Sequence, residues 1–98
     1  MSELRFEWDE AKNAENRRKH GVSFEEARTV FADERALLIH DPDEVEEEDR
    51  FVLLGIGATL RTLVVCRCYR LGGDVIRIIS ARKANRSERG QYDRRPRR

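Results

Sequence analysis

Val75-Ile76-Arg77-Ile78-Ile79-Ser80-Ala81-Arg82-Lys83 is the stretch on which the fold of this chain turns. Isoleucine and valine are stiff at χ1 and pack well on a pleated surface, so Val75 to Ile79 predicts an inner β-strand, launched by the turn residues Gly72-Gly73-Asp74. Strict alternation puts Val75, Arg77 and Ile79 on one face and Ile76, Ile78 and Ser80 on the other. Arg77 then stands among apolar neighbours, where an unpaired charge is costly, and it needs an acceptor. Two acceptors fit: a carboxylate of this chain, which would make Arg77 a structural ion-pair partner, or the phosphate of a ligand.

Upstream of this strand, Ala36 to Ile39, Arg50 to Gly57 and Leu63 to Tyr69 read as three more, joined mostly by short turns, so an antiparallel meander of about four strands is the economical topology. Leu63, Val65, Arg67 and Tyr69 share one face of the third, and the expected pairing sets Arg67 across from Arg77. Two arginines so placed repel unless an anion joins them, which tilts the choice of acceptor toward phosphate. Downstream, Ser80 is an N-cap type and Ala81 to about Gln91 predicts a helix carrying Arg82, Lys83, Arg86 and Arg89.

The N-terminal third predicts two helices. Phe6 and Trp8 form a short extended lead-in, and Asp9 caps a highly charged helix to His20, anchored by Trp8, Ala11 and Ala14. Lys19 and His20 suit the negative end of that helix dipole, and Gly21 suits the left-handed residue after it. Ser23-Phe24-Glu25-Glu26 is a capping box opening a second helix to about Ala32, with Phe24, Ala27, Val30 and Phe31 as its core stripe. The fold class is therefore α+β: two N-terminal helices, an antiparallel sheet of about four strands and a C-terminal helix. Residues 1–92 make one domain, residues 93–98 a basic tail too polar to fold, and Asp41 to Asp49 a mobile, solvated acidic loop.

At 98 residues there is room for one core and no second domain. No apolar run is long enough to cross a bilayer and Met1-Ser2-Glu3-Leu4-Arg5 is no signal peptide, which together place the chain in the cytoplasm without membrane contact. Cys66 and Cys68 share one strand face too far apart to bridge, and read as buried free thiols. With only His20 and His40 besides, no metal or cofactor site is expected. The net charge of +1 hides an asymmetry: residues 1–49 hold 7 Lys/Arg and 16 Asp/Glu, residues 50–98 hold 13 and 3. A basic half built around apolar strands fits a polyanion-binding surface; attraction between the two halves within the fold is the plainer reading.

Two segments resemble the BrnT toxins of bacterial type II toxin–antitoxin systems. They are Phe6-Glu7-Trp8-Asp9-Glu10-Ala11-Lys12, continuing through Asn16 to Lys19-His20-Gly21-Val22-Ser23-Phe24, and Arg77-Ile78-Ile79-Ser80-Ala81-Arg82-Lys83-Ala84, continuing to Glu88 and Tyr92. Asp49-Arg50-Phe51 fits as well, while the arginine-rich end after Tyr92 lies outside the resemblance. The resemblance implies a RelE-like fold, ribonuclease activity that arrests translation, and a BrnA antitoxin with a ribbon-helix-helix domain, through which alone the toxin would meet DNA.

Residues and resemblance together suggest a metal-independent endoribonuclease, in which the 2′-hydroxyl attacks the adjacent phosphate. Arg67, Arg77 and Arg82 are candidates to hold the phosphorane, whose charge exceeds that of the ground state. Lys12, Lys19 and His20 are candidates for proton transfer or further phosphate contact. Imidazole is the one side chain among them whose ordinary pKa, about 6.5, suits that task unaided. Tyr69 either stacks on a base or covers core at the sheet edge. The alternative function is a non-catalytic nucleic-acid- or protein-binding module, because arginines that bind RNA and arginines that cleave it look alike in sequence.

Overall fold

The structure, a computed structural model, describes residues 5–39 and 50–94. Its elements are β1 (Arg5–Glu7), α1 (Glu10–His20), α2 (Phe24–Thr29, extended by a tight 3-10 turn to Ala32), β2 (Leu37–Ile39), β3 (Arg50–Ile56), β4 (Thr62–Arg70), β5 (Val75–Lys83) and α3 (Arg86–Arg94). The fold is α+β, as the sequence indicates, but the sheet has five strands in the order β1-β5-β4-β3-β2. Phe6 lies within the fifth strand: β1 pairs parallel with the start of β5, Phe6 opposite Ile76 and Glu7 opposite Arg77, and the other pairings are antiparallel. A three-residue strand whose partner lies some 70 positions away has no local pattern to announce it.

β5 runs on to Lys83 instead of yielding to a helix after Ser80. Ala81, Arg82 and Lys83 are good helix formers, yet Ala81 pairs with Val65, Arg82 with Val64 and Lys83 with Leu63, and this ladder overrides propensity. The helix start moves to Asn85, whose side chain accepts from the Glu88 N–H (2.8 Å) while Glu88 accepts from the Asn85 N–H (2.9 Å), a reciprocal capping box. Arg82 is thus a strand residue, and Asp93 and Arg94, read from sequence as tail, belong to α3. The acidic-loop reading and the rest of the tail lie outside the described residues.

The β4–β5 ladder slips between Cys66 and Arg67: Cys66 faces Ser80, but Arg67 faces Ile78 and Cys68 faces Arg77. The bulge leaves Ile79 without an opposite number, so the alternation inferred from sequence fails at that point. Ile78 and Ala81, three apart, consequently enter the same core with Val22, Phe24, Ala27, Val30, Leu53, Leu63 and Val65, beneath α1 and α2. On the other face Val52, Leu54 and Val64 pack with Ala84 and Tyr92, and the Tyr92 hydroxyl donates to Asp33 (2.6 Å), which also accepts from the Ile56 N–H (2.9 Å). Among the described residues neither cysteine is in a disulfide; Cys68 is buried and Cys66 partly so. Among the described residues no helix is long and apolar enough to cross a membrane.

Candidate functional site

α1 is capped as its sequence suggests. Asp9 accepts from the N–H groups of Ala11 and Lys12, and Gly21 takes the left-handed conformation at φ 69° and donates to the Arg17 carbonyl. Its anchoring is different from the expectation, because Ala11 and Ala14 are exposed and the buried residues are Asn13 and Asn16. The helix docks through amides. Asn13 accepts from the Phe24 N–H (2.8 Å) and donates to Glu25 (2.9 Å). Asn16 treats Ala81 as a neighbouring strand would, donating to its carbonyl (2.8 Å) and accepting from its N–H (3.2 Å), and it also donates to the Val22 carbonyl (2.8 Å). Trp8 adds an edge-on contact with Phe24, the ring centroids 6.1 Å apart.

This docking opens a cleft of about 480 Å³ between α1 and the bulged part of β5. Lys12, Lys19 and His20 line it, facing Ile79 and Ser80, with Asp9 and Glu15 on the rim and Asn16 in the floor. The helical repeat explains the grouping, since positions 12, 16, 19 and 20 fall on one side of an α-helix. Lys19 reaches Glu15 at 3.1 Å, and hydrogen bonding to Lys19 holds the Glu15 carboxyl below its ordinary pKa.

The three arginines do not converge. Arg67 and Arg77 pair with Ile78 and Cys68 on adjacent, opposite-facing register positions, so the expected cross-strand arginine pair is absent and no shared anion is needed. Arg77 has the first of its two possible acceptors: it donates to Glu7 of β1 at 2.8 Å, and Arg70 reaches the same carboxylate at 3.3 Å. Hydrogen bonding to Glu7, with Asp9 contributing at longer range, raises the Arg77 pKa. Arg82 makes two parallel bonds to Glu88, both 2.8 Å. Arg67, only 5% exposed, lies within 4.9–5.6 Å of the ring centroids of Phe31, Phe51 and Tyr69, which face the cation with their π clouds. Tyr69 is half exposed, so it covers that arginine and shows its other side to solvent.

The Arg82 pair fastens α3 and carries a pH signature. Hydrogen bonding to Arg82, and secondarily to the Asn85 N–H, lowers the Glu88 pKa. A carboxylate depressed on folding adds stability above its ordinary value of about 4.3, and that stability is lost as pH falls through the lower, folded value. Glu88→Gln is therefore expected to lower the melting temperature at pH 7, with the gap from the parent closing below about pH 4. Parallel melts from pH 3 to 7 check it, and a gap independent of pH would mean that the ion pair is not its source. The Glu26 carboxyl behaves alike, lowered chiefly by Arg61; its side chain turns to Arg61 and Thr59 instead of closing the box on Ser23, whose hydroxyl still accepts from the Glu26 N–H (3.0 Å).

Sequence reasoning assigned no supporting role to Glu7, Asn13, Asn16, Asp33 or Glu88, although Glu7, Asn16 and Glu88 fall within the segments of the family resemblance. Asn13 and Asn16, three apart in a helix with few apolar groups, were the available signal, since buried amides replace an apolar stripe there. Among the described residues no three His, Cys, Asp or Glu side chains stand together as a metal site.

Comparison with known proteins agrees with this fold. The crystal structure at 1.1 Å resolution of the Brucella abortus ribonuclease toxin BrnT superposes with a TM-score of 0.64 and 23% sequence identity, covering 86% of this chain and 100% of that one. At that identity the likeness is one of fold. No curated protein matches the chain. The profile of the family described as "Ribonuclease toxin, BrnT, of type II toxin-antitoxin system" matches residues 8–88, a span that takes in α1, the cleft, the whole of β5 and the Arg82–Glu88 pair. The chain belongs to the BrnT family of type II toxin–antitoxin ribonuclease toxins.

Proposed function

We propose that the cleft between α1 and the β5 bulge is the active site of a metal-independent endoribonuclease that cleaves RNA and thereby inhibits translation. One observation carries the reading: a single helix face brings Lys12, Lys19 and His20, the cationic and proton-transferring candidates, together opposite Ser80. In this scheme His20 exchanges the protons of the 2′-hydroxyl and the leaving 5′-oxygen, as a general base or acid. Lys19 swings from Glu15 to the phosphorane, where the added negative charge outweighs a surface ion pair. The hydroxyl of Ser80 is placed to donate to a phosphate oxygen. Arg77 and Arg82 act from their carboxylate partners, Arg77 supporting the Asp9 end of the cleft and Arg82 the helix that follows β5. Arg67 stays within its aromatic rings.

The toxin works as a single domain in the cytoplasm, with a BrnA-type antitoxin of the ribbon-helix-helix class as its partner and DNA reached only through that antitoxin. Purified protein freed of antitoxin, incubated with single-stranded RNA in excess EDTA, should yield fragments ending in 2′,3′-cyclic phosphate. Binding without cleavage under those conditions and with added Mg²⁺ would favour the non-catalytic module. Cleavage only with Mg²⁺ would keep the ribonuclease and end its metal independence.

A further inference from the structure

The cleft has two basic poles along α1. Lys12 and His20 are eight residues apart on α1, which at 1.5 Å per residue sets their backbones about 12 Å apart along the axis. Lys19 and His20 form one pole. Lys12 forms the other, beside Asp9, whose charge also reaches Arg77. Between them the Asn16 amide is consumed by Ala81 and Val22, while the Glu15 carboxylate is taken up by Lys19 and Arg18 at the first pole. Lys12 has no ion-pair partner among the described residues, whereas Lys19 is already 3.1 Å from Glu15. Phosphates two linkages apart in an extended single strand cover such a distance, and neither one phosphate nor two consecutive ones do.

We infer that the cleft binds two phosphates of one RNA strand: the scissile phosphate at Lys19 and His20, and a flanking phosphate at Lys12. This rests on the ribonuclease reading and sharpens it, because Lys12 becomes a substrate-length determinant rather than a participant in the chemistry. A folded duplex, whose bases hold its phosphates against a partner strand, would be a poor substrate. A single-stranded run at least four nucleotides long is the substrate class.

The test is a charge cycle. Short oligonucleotides carry one ribose at the cleaved step and deoxyribose elsewhere, with the second linkage to either side of that step made neutral as a methylphosphonate. Each is given to the parent protein and to Lys12→Gln. For the fully charged strand, Lys12→Gln should raise KM about tenfold, leave kcat within about twofold, and reduce the salt dependence of binding by the release of about one phosphate's counterions. Neutralising one particular flank should cost the parent a similar factor and add little to the variant's loss. Losses that multiply independently at both flanks, or a fall in kcat at unchanged KM, would overturn the assignment and return Lys12 to the scissile phosphate. The same cycle is read by equilibrium binding of all-deoxy strands. A parent that binds them but leaves the ribose-containing strands uncleaved therefore sinks the catalytic reading alone, and the Lys12 contact is still decided.

Discussion

Changing His20 to alanine is expected to lower the rate of RNA cleavage by about two to four orders of magnitude, the usual contribution of a positioned acid or base. The fold should survive. His20 is the exposed last residue of α1, the helix ends on the left-handed Gly21 whatever stands before it, and Arg17, Arg18 and Lys19 remain to complement the helix dipole. The loss should fall on kcat. Single-turnover kinetics on a defined oligonucleotide, with circular dichroism as the control, would measure it. Activity within threefold of the parent would remove His20 from the chemistry and leave it as one helix-end cation among four.

Changing Asn16 to alanine is expected to destabilise the protein by about 3 kcal/mol. The substitution removes two donor bonds and one acceptor bond in a buried site, leaving the Ala81 N–H, the Ala81 carbonyl and the Val22 carbonyl to find other partners. A buried polar group left unsatisfied costs about 1–3 kcal/mol, and the small cavity created would let water recover part of that. For a domain of this size the expected fall in melting temperature is about 10–20 °C. Urea denaturation would give the free energy directly. A loss below about 1 kcal/mol would show that α1 is held chiefly by Trp8 on Phe24 and not by its amides.

These two residues mark where local pattern suffices and where it does not. Asp9, Ser23, Gly21 and the stripe Phe24–Ala27–Val30 act within a turn or two of chain, so capping and periodicity place α1 and α2 almost to the residue. β3 and β4 are likewise legible, because runs of branched apolar residues between turns have one economical use. His20, Lys19 and Lys12 were nameable from residue type and from the family resemblance, and their convergence follows from the 3.6-residue repeat of one helix.

What only the tertiary structure decided is everything that depends on register between distant segments. Whether Arg77 met a carboxylate or a ligand turned on β1, three residues whose pairing with β5 no local signal foretells, and Glu7 supplied the answer. The bulge at Cys66/Arg67 sent Arg67 and Arg77 to opposite faces and left Ile79 and Ser80 lining the cleft. Side-chain direction in a strand has a period of two, so one extra residue reverses every assignment beyond it, and nothing in Ile78-Ile79-Ser80-Ala81 shows where that residue will be. Arg82 was drawn into a strand for the same reason: its propensity is local and weak, while the ladder with Val64 is tertiary and stronger. Composition and short-range pattern therefore determined the elements other than β1 and which side chains are chemically able, and long-range pairing determined which of them meet.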